Sequence, residues 1–209
     1  MRLKIRLGPK AMATDSTDRH QTMWHMPGRA VVFALSILML MATAVVITTP
    51  AAMARTYTAM IIDAETGDVL HEYRPDHKVY PASLTKIMTL YMLFDALDSG
   101  KVSLSTRMEV SKRAWGQAPS KLGLKPGEKI SVEDAILALV TKSANDIAVV
   151  VAEHLGGTEV KFAQMMTAKA RKIGMKNTTF RNASGLPNRG QLTTARDMIR
   201  LAVSLRKDY

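Results

Sequence analysis

Ser83 and Lys86 stand three residues apart in PASLTKIMTL (residues 81–90), just after a proline and at the opening of an apolar run. A serine hydroxyl is a weak nucleophile until a neighbouring group accepts its proton. Histidine is one such group, and the chain has five. His20 and His25 lie in the amino-terminal leader region, His71, His77 and His154 are scattered, and no G-x-S-x-G elbow presents a serine to any of them. The chain has no cysteine and no H-E-x-x-H spacing, so neither a thiol nucleophile nor a metal site is expected. An amine is the remaining acceptor. Positions i and i+3 share one helix face, so Ser83 and Lys86 can meet there. An ammonium cannot take a proton, but burial against the apolar wall IMTLYML would lower the lysine pKa, because a low dielectric disfavours the charged form. With Pro81 just before it, Ser83 falls near a helix amino terminus, where unpaired N–H groups can stabilise an oxyanion.

The pair alone is weak, since 12 serines and 15 lysines give a second match at Ser204 and Lys207, in the polar end of the last expected helix. Ser83 is set apart by its company. Sixty residues on, TKSANDIA places Ser143 and Asn145 in a short joint between two helical runs, and this is the one S-x-N of the chain.

The elements that must carry these residues follow from periodicity. YTAMIID and VLHEY, joined by AETGD, read as a β-hairpin. Apolar residues at helical spacing run from Leu84 to Leu97 and stop at Ser99-Gly100. Residues 101–130 are polar and rich in turn formers, so loops and short extended pieces are expected there. Ser131 opens a helix with Asp134 three residues on, a second helix follows from about Asp146 to Leu155, Thr158 caps a third that ends at Gly174, and Thr194 caps the last. Two strands followed by helices make an α+β domain, with the hairpin as its only strands.

The charged residues number 29 basic against 18 acidic, but the lysines of the body are spread out and aromatic residues are scarce, which argues against a nucleic-acid surface. From Ala30 to Ala54 no residue is charged. Residues 1–54 read as an export signal, with a polar segment to Arg29, an apolar segment over 30–49, and AMA before Arg55 as the cleavage site. Residues 55–209 read as a partial domain, since a two-stranded hairpin is marginal alone and nothing in them completes a sheet.

PASLTKIMT, SANDIA and ASGLPNRGQLTTARDM together resemble the low-molecular-mass penicillin-binding proteins that act as D-alanyl-D-alanine carboxypeptidases, over residues 57–206. The S-x-x-K and S-x-N elements are marks of this group and of class A β-lactamases. The resemblance implies the penicillin-binding protein/β-lactamase-like fold, helices packed on an antiparallel sheet, and no cofactor. It implies that Ser83 attacks the carbonyl between two terminal D-alanines of a peptidoglycan pentapeptide stem, that Lys86 takes its proton, that Ser143 passes a proton to the leaving amine, and that Asn145 binds the substrate backbone. β-Lactams would acylate Ser83 as inhibitors, and the periplasm or the outer face of the inner membrane would be the place of action, with peripheral membrane association left open. The family's third element, K-T-G, is expected roughly a hundred residues beyond S-x-N and does not occur in the 209 residues, so the chain reads as stopping before that strand. A D,D-endopeptidase of cell-wall cross-links, and a wall- or β-lactam-binding protein without turnover, are the alternatives. No glutamate stands near TFRNASG to serve as a β-lactamase deacylating base.

Overall fold

The computed structural model describes residues 57–209, together with Met39. The expected export signal lies outside the described residues. The first hairpin pairs β1 (Ala59–Ile62) antiparallel with β2 (Val69–Tyr73), in the register Ala59 to Tyr73 and Met60 to Glu72. A short 3-10 turn (Ala82–Leu84) leads into helix α1 (Thr85–Asp98).

The polar stretch after α1 is more ordered than its composition suggests. It holds β3 (Arg107–Glu109), the single-turn helix α2 (Lys112–Trp115) and β4 (Lys129–Ser131). β3 and β4 pair antiparallel, so the fold carries a second small sheet besides the expected hairpin. Its signal is one apolar pair, Met108 opposite Ile130, both buried, between residues that face solvent. Two three-residue strands with one inward side chain each are too short for alternation to register in sequence.

Helices α3 (Val132–Thr141), α4 (Asn145–Gly156), α5 (Glu159–Lys172) and α6 (Ala195–Asp208) follow. Three of them start where a hydroxyl caps the first turn: Ser131 accepts from Asp134 N–H, Thr158 from Lys161 N–H and Thr194 from Asp197 N–H. Each such cap stabilises its helix by about 1 kcal/mol. Helix α4 is apolar around its whole circumference from Ile147 to Ala152, and all six of these residues are fully buried. A helix with no polar face belongs in the middle of a core. Helices α1, α2, α3 and α5 surround it, and the core closes with Met88, Leu93, Phe162 and Met166.

One irregular segment, residues 175–193, is threaded back toward the start of α1. Val79 and Thr193 exchange both backbone hydrogen bonds, each at 2.9 Å. Thr179 and Leu192 pair in the same way, at 2.8 and 3.1 Å. These bridges set the loop around residues 182–189 against the turn that carries Ser83.

Candidate active site

Ser83 sits in the 3-10 turn, exposed, with Pro81 buried behind it. Ala82 is held at φ 47°, in the left-handed region that a side chain disfavours. Gly185 (φ 88°) packs directly on this turn. A Cβ built on Gly185 would lie 1.8 Å from the Ala82 carbonyl oxygen, so only glycine permits the approach.

Lys86 lies one turn into the apolar helix and is 3% exposed. Its Nζ donates to Asn145 Oδ1 and to the Ser184 carbonyl, each at 2.7 Å. Burial pushes the amine down to about 8 from its ordinary value of 10.5. At neutral pH that shift leaves roughly one amine in ten uncharged, against fewer than about one in a thousand for an unperturbed lysine. No hydrogen bond joins Ser83 Oγ to Lys86 Nζ among the described residues. Ser83 stands in the turn before the helix that carries Lys86, and the amine is oriented by two oxygens from elsewhere in the chain.

Asn145 is the first residue of α4 and buried. Besides accepting from Lys86, it donates from Nδ2 to the Ala118 carbonyl at 2.9 Å, which fixes its amide orientation. Its backbone N–H goes to the Ser120 carbonyl at 2.8 Å. One amide N–H remains for a bound molecule. Ser143, two residues earlier, occupies the joint between α3 and α4, half-buried and at φ 54°. Its hydroxyl makes no hydrogen bond to Lys86 among the described residues. The structure thus joins Lys86 directly to Asn145 and leaves Ser83 and Ser143 close to that pair in the chain, Ser143 itself and Ala82, next to Ser83, in the left-handed region. Lys207 is exposed on α6, as expected of a chance second match.

Three parts of the site were given no role by the sequence, although they fall within SANDIA and ASGLPNRGQLTTARDM, two of the segments that carry the family resemblance. The Ser184 carbonyl is a backbone atom, and Gly185 follows it in ASGLPNRGQLTTARDM with no chemistry of its own to single it out. Asp146 is fully buried and accepts three backbone N–H groups, from Leu122 and Ile147 at 2.9 Å and from Gly123 at 2.8 Å. It ties residues 122–123 down, while Asn145 itself holds Ala118 and Ser120. Its place in SANDIA gave it no role, and the helix dipole alone would explain an acidic residue in a first turn.

A cleft of about 550 Å³ is lined by Tyr80, Pro81 and Ala82, the residues just before Ser83, and by residues 185–189; Ser83, Lys86, Ser143 and Asn145 are not among its lining residues. It is mostly apolar, with Arg189 at its edge. An exposed serine hydroxyl, with a buried amine of lowered basicity three residues on, supplies the two side-chain types that serine acyl transfer requires.

Comparison with known proteins gives the family. Residues 44–209 match the peptidase S11 family, D-alanyl-D-alanine carboxypeptidase, and the chain belongs to that family. It is 37% identical over 150 residues to D-alanyl-D-alanine carboxypeptidase DacF of Bacillus subtilis, covering 72% of this chain and 39% of that protein. The crystal structure of D-alanyl-D-alanine carboxypeptidase DacD from Francisella tularensis superposes with a TM-score of 0.69 at 39% identity, over 70% of this chain and 36% of that one. Penicillin-binding protein D2 of Listeria monocytogenes in its ampicillin-bound form gives a TM-score of 0.66 at 29% identity, over 77% of this chain and 65% of that one. The fold is therefore the α+β fold of the penicillin-binding proteins. The chain spans about two-fifths of the length of the curated relatives it matches.

Proposed function

We propose that this protein is a serine-type D-alanyl-D-alanine carboxypeptidase that trims the terminal D-alanine from peptidoglycan stems through an acyl-enzyme on Ser83. The observation that carries the reading is the Lys86 amine, buried one turn after Ser83, with two acceptors already assigned to it. A neutral amine has two N–H bonds and one lone pair. With both N–H bonds given to Asn145 and Ser184, the lone pair is the one position left, and it serves as the base.

In the first step the Ser83 Oγ–H proton passes to Lys86 as Oγ bonds to the carbonyl carbon of the penultimate D-alanine. The backbone N–H of Ser83, at a helix start, supports the resulting oxyanion. The C–N bond then breaks, and Ser143 relays a proton to the leaving amine, which departs as D-alanine. Water attacks the ester, its proton returns through Lys86, and Ser83 is regenerated. The free N–H of Asn145 hydrogen-bonds the stem backbone, and the stem lies along the cleft beside Tyr80 and Leu186. A β-lactam enters the same sequence and stalls at the ester, a reading supported by the ampicillin-bound form of the Listeria protein.

The same reading assigns residues 1–54 to export and the domain to the periplasm or the outer face of the inner membrane, where such stems are found. A D,D-endopeptidase would use the same residues on cross-linked stems. Incubation with fluorescent penicillin should label the chain covalently at Ser83, and Ser83→Ala should abolish the label. Release of D-alanine from a pentapeptide, compared with cleavage of cross-linked dimers, separates carboxypeptidase from endopeptidase. Absence of Ser83 labelling in folded protein would refute the proposal.

A further inference from the structure

Two buried polar side chains that the reaction does not use converge on the loop that holds Lys86. Thr89, fully buried and one turn beyond Lys86 on α1, donates from Oγ1 to the Ala183 carbonyl at 2.7 Å. Glu159, the first residue of α5 and 4% exposed, accepts the Ala183 N–H on Oε1 at 3.2 Å. Its other oxygen is held by Arg113, whose Nε lies 3.0 Å away. Both backbone polar groups of Ala183 are therefore gripped by side chains, from two different helices. The next carbonyl in the chain, that of Ser184, is the one to which Lys86 donates.

We propose that Thr89 and Glu159 are positioning residues for the Lys86 amine, clamping Ala183 so that the Ser184 carbonyl fixes where the lysine lone pair points. This inference rests on the assignment of Lys86 as the base. The Cε–Nζ bond rotates freely in a lone lysine, so one acceptor leaves the lone pair sweeping a cone, whereas two acceptors in fixed positions stop it. Asn145 is itself braced by Ala118, so the second fixed point must come from the 182–185 segment. That segment has no regular structure to hold it. Its own contacts, from Gly185 N–H to Asn182 Oδ1 at 2.7 Å and from the Arg181 and Asn182 N–H groups to Gln191 Oε1 at 2.8 and 3.1 Å, brace its internal shape. Thr89 and Glu159 fasten it to the helices. A buried carboxylate is a costly choice where packing alone is needed, and an apolar residue would fill the same space.

The test uses the full chain with Thr89→Val, which keeps the shape and removes the donor, and with Glu159→Ala and Glu159→Gln. Two readouts are taken: the rate of Ser83 acylation by fluorescent penicillin per folded molecule, and the titration of the Lys86 side chain followed by NMR, which needs no turnover. Misplacing a reacting group by a fraction of an ångström to 1 Å costs on the order of 10- to 100-fold, so Thr89→Val should acylate about tenfold more slowly. Its Lys86 midpoint should move by at least about half a pH unit, since one pH unit corresponds to a tenfold change in the balance of the two forms. Glu159→Gln, which retains an oxygen for Ala183, should recover most of the rate that Glu159→Ala loses. A purely structural role would lower the melting temperature and leave both readouts unchanged. Wild-type rate and wild-type midpoint in folded Thr89→Val would overturn the inference, and that variant decides the matter if Glu159→Ala does not fold. If the unmutated chain is not labelled at Ser83, the proposed reaction fails, and the Lys86 titration alone still judges the clamp.

Discussion

Replacing Gly185 by alanine tests whether the turn carrying Ser83 is held by backbone contact. The added methyl would lie 1.8 Å from the Ala82 oxygen, 2.4 Å from the Ala82 carbonyl carbon and 3.1 Å from the Ser83 nitrogen. Ordinary contact begins near 3.4 Å, so the two segments must part by roughly 1.5 Å before the repulsion is relieved. The φ of 88° adds about 1–2 kcal/mol of backbone strain for a residue with a Cβ, and forcing open a packed contact adds about 1–3 kcal/mol. The expected loss of stability is therefore about 2–5 kcal/mol. A displacement of 1 Å or more at the nucleophile costs on the order of 100-fold in rate. Urea unfolding reads the first quantity, and the second-order rate of Ser83 labelling, corrected for folded protein, reads the second. Gly67→Ala is the matched control. Its φ of 80° imposes similar strain, but nothing lies within 4 Å of the new methyl, so stability should fall while labelling stays as in wild type. Equal labelling rates in Gly185→Ala and Gly67→Ala would refute the argument that this close approach positions Ser83.

Other expectations follow from the amine and its surroundings. Labelling should rise with pH through a limb centred near the Lys86 value of about 8. Asn145→Asp puts an anion where the 2.7 Å contact to Nζ now stands, which favours the ammonium, so the limb should move above 8 and labelling at pH 7 should drop about tenfold for each unit moved; an unmoved limb would rule this out. Because the folded amine gives up its proton near pH 8 and the unfolded one near 10.4, the unfolded chain binds more protons between these values, and stability should increase with pH across that window. The penalty below pH 8 is about 3 kcal/mol. Urea unfolding of wild type and Lys86→Met at pH 7 and pH 10 should show the gap between them changing by about that amount, and parallel behaviour would contradict it. Asp146→Asn keeps one acceptor oxygen where three N–H groups are now served, and should destabilise by about 1–3 kcal/mol through release of residues 122–123.

The sequence made some of this visible and hid the rest for physical reasons. Ser83, Lys86, Ser143 and Asn145 stand out because side-chain chemistry at fixed spacing leaves a pattern, and the hydroxyl caps at Ser131, Thr158 and Thr194 mark helix starts just as plainly. Backbone atoms leave none, so the Ser184 carbonyl, 98 residues from the lysine it meets, is invisible before folding. Glu159 shows the limit from the other side. At a helix start an acidic residue is ordinary, and only the return of residue 183 to its side reveals a second partner. The left-handed conformations of Ala82 and Ser143 fall on residue types that give no warning of them.

The two oxygens that receive the Lys86 amine come from residues 59 and 98 positions away in the chain. A newly made polypeptide, or one still unfolding, has that lysine in water at its usual basicity, and its serine is then as inert as any other. On the proposed chemistry, reactivity is switched on by assembly of the three segments, and covalent capture by a penicillin would count finished molecules and ignore unfinished ones. Used during refolding, it would time the closing of the domain.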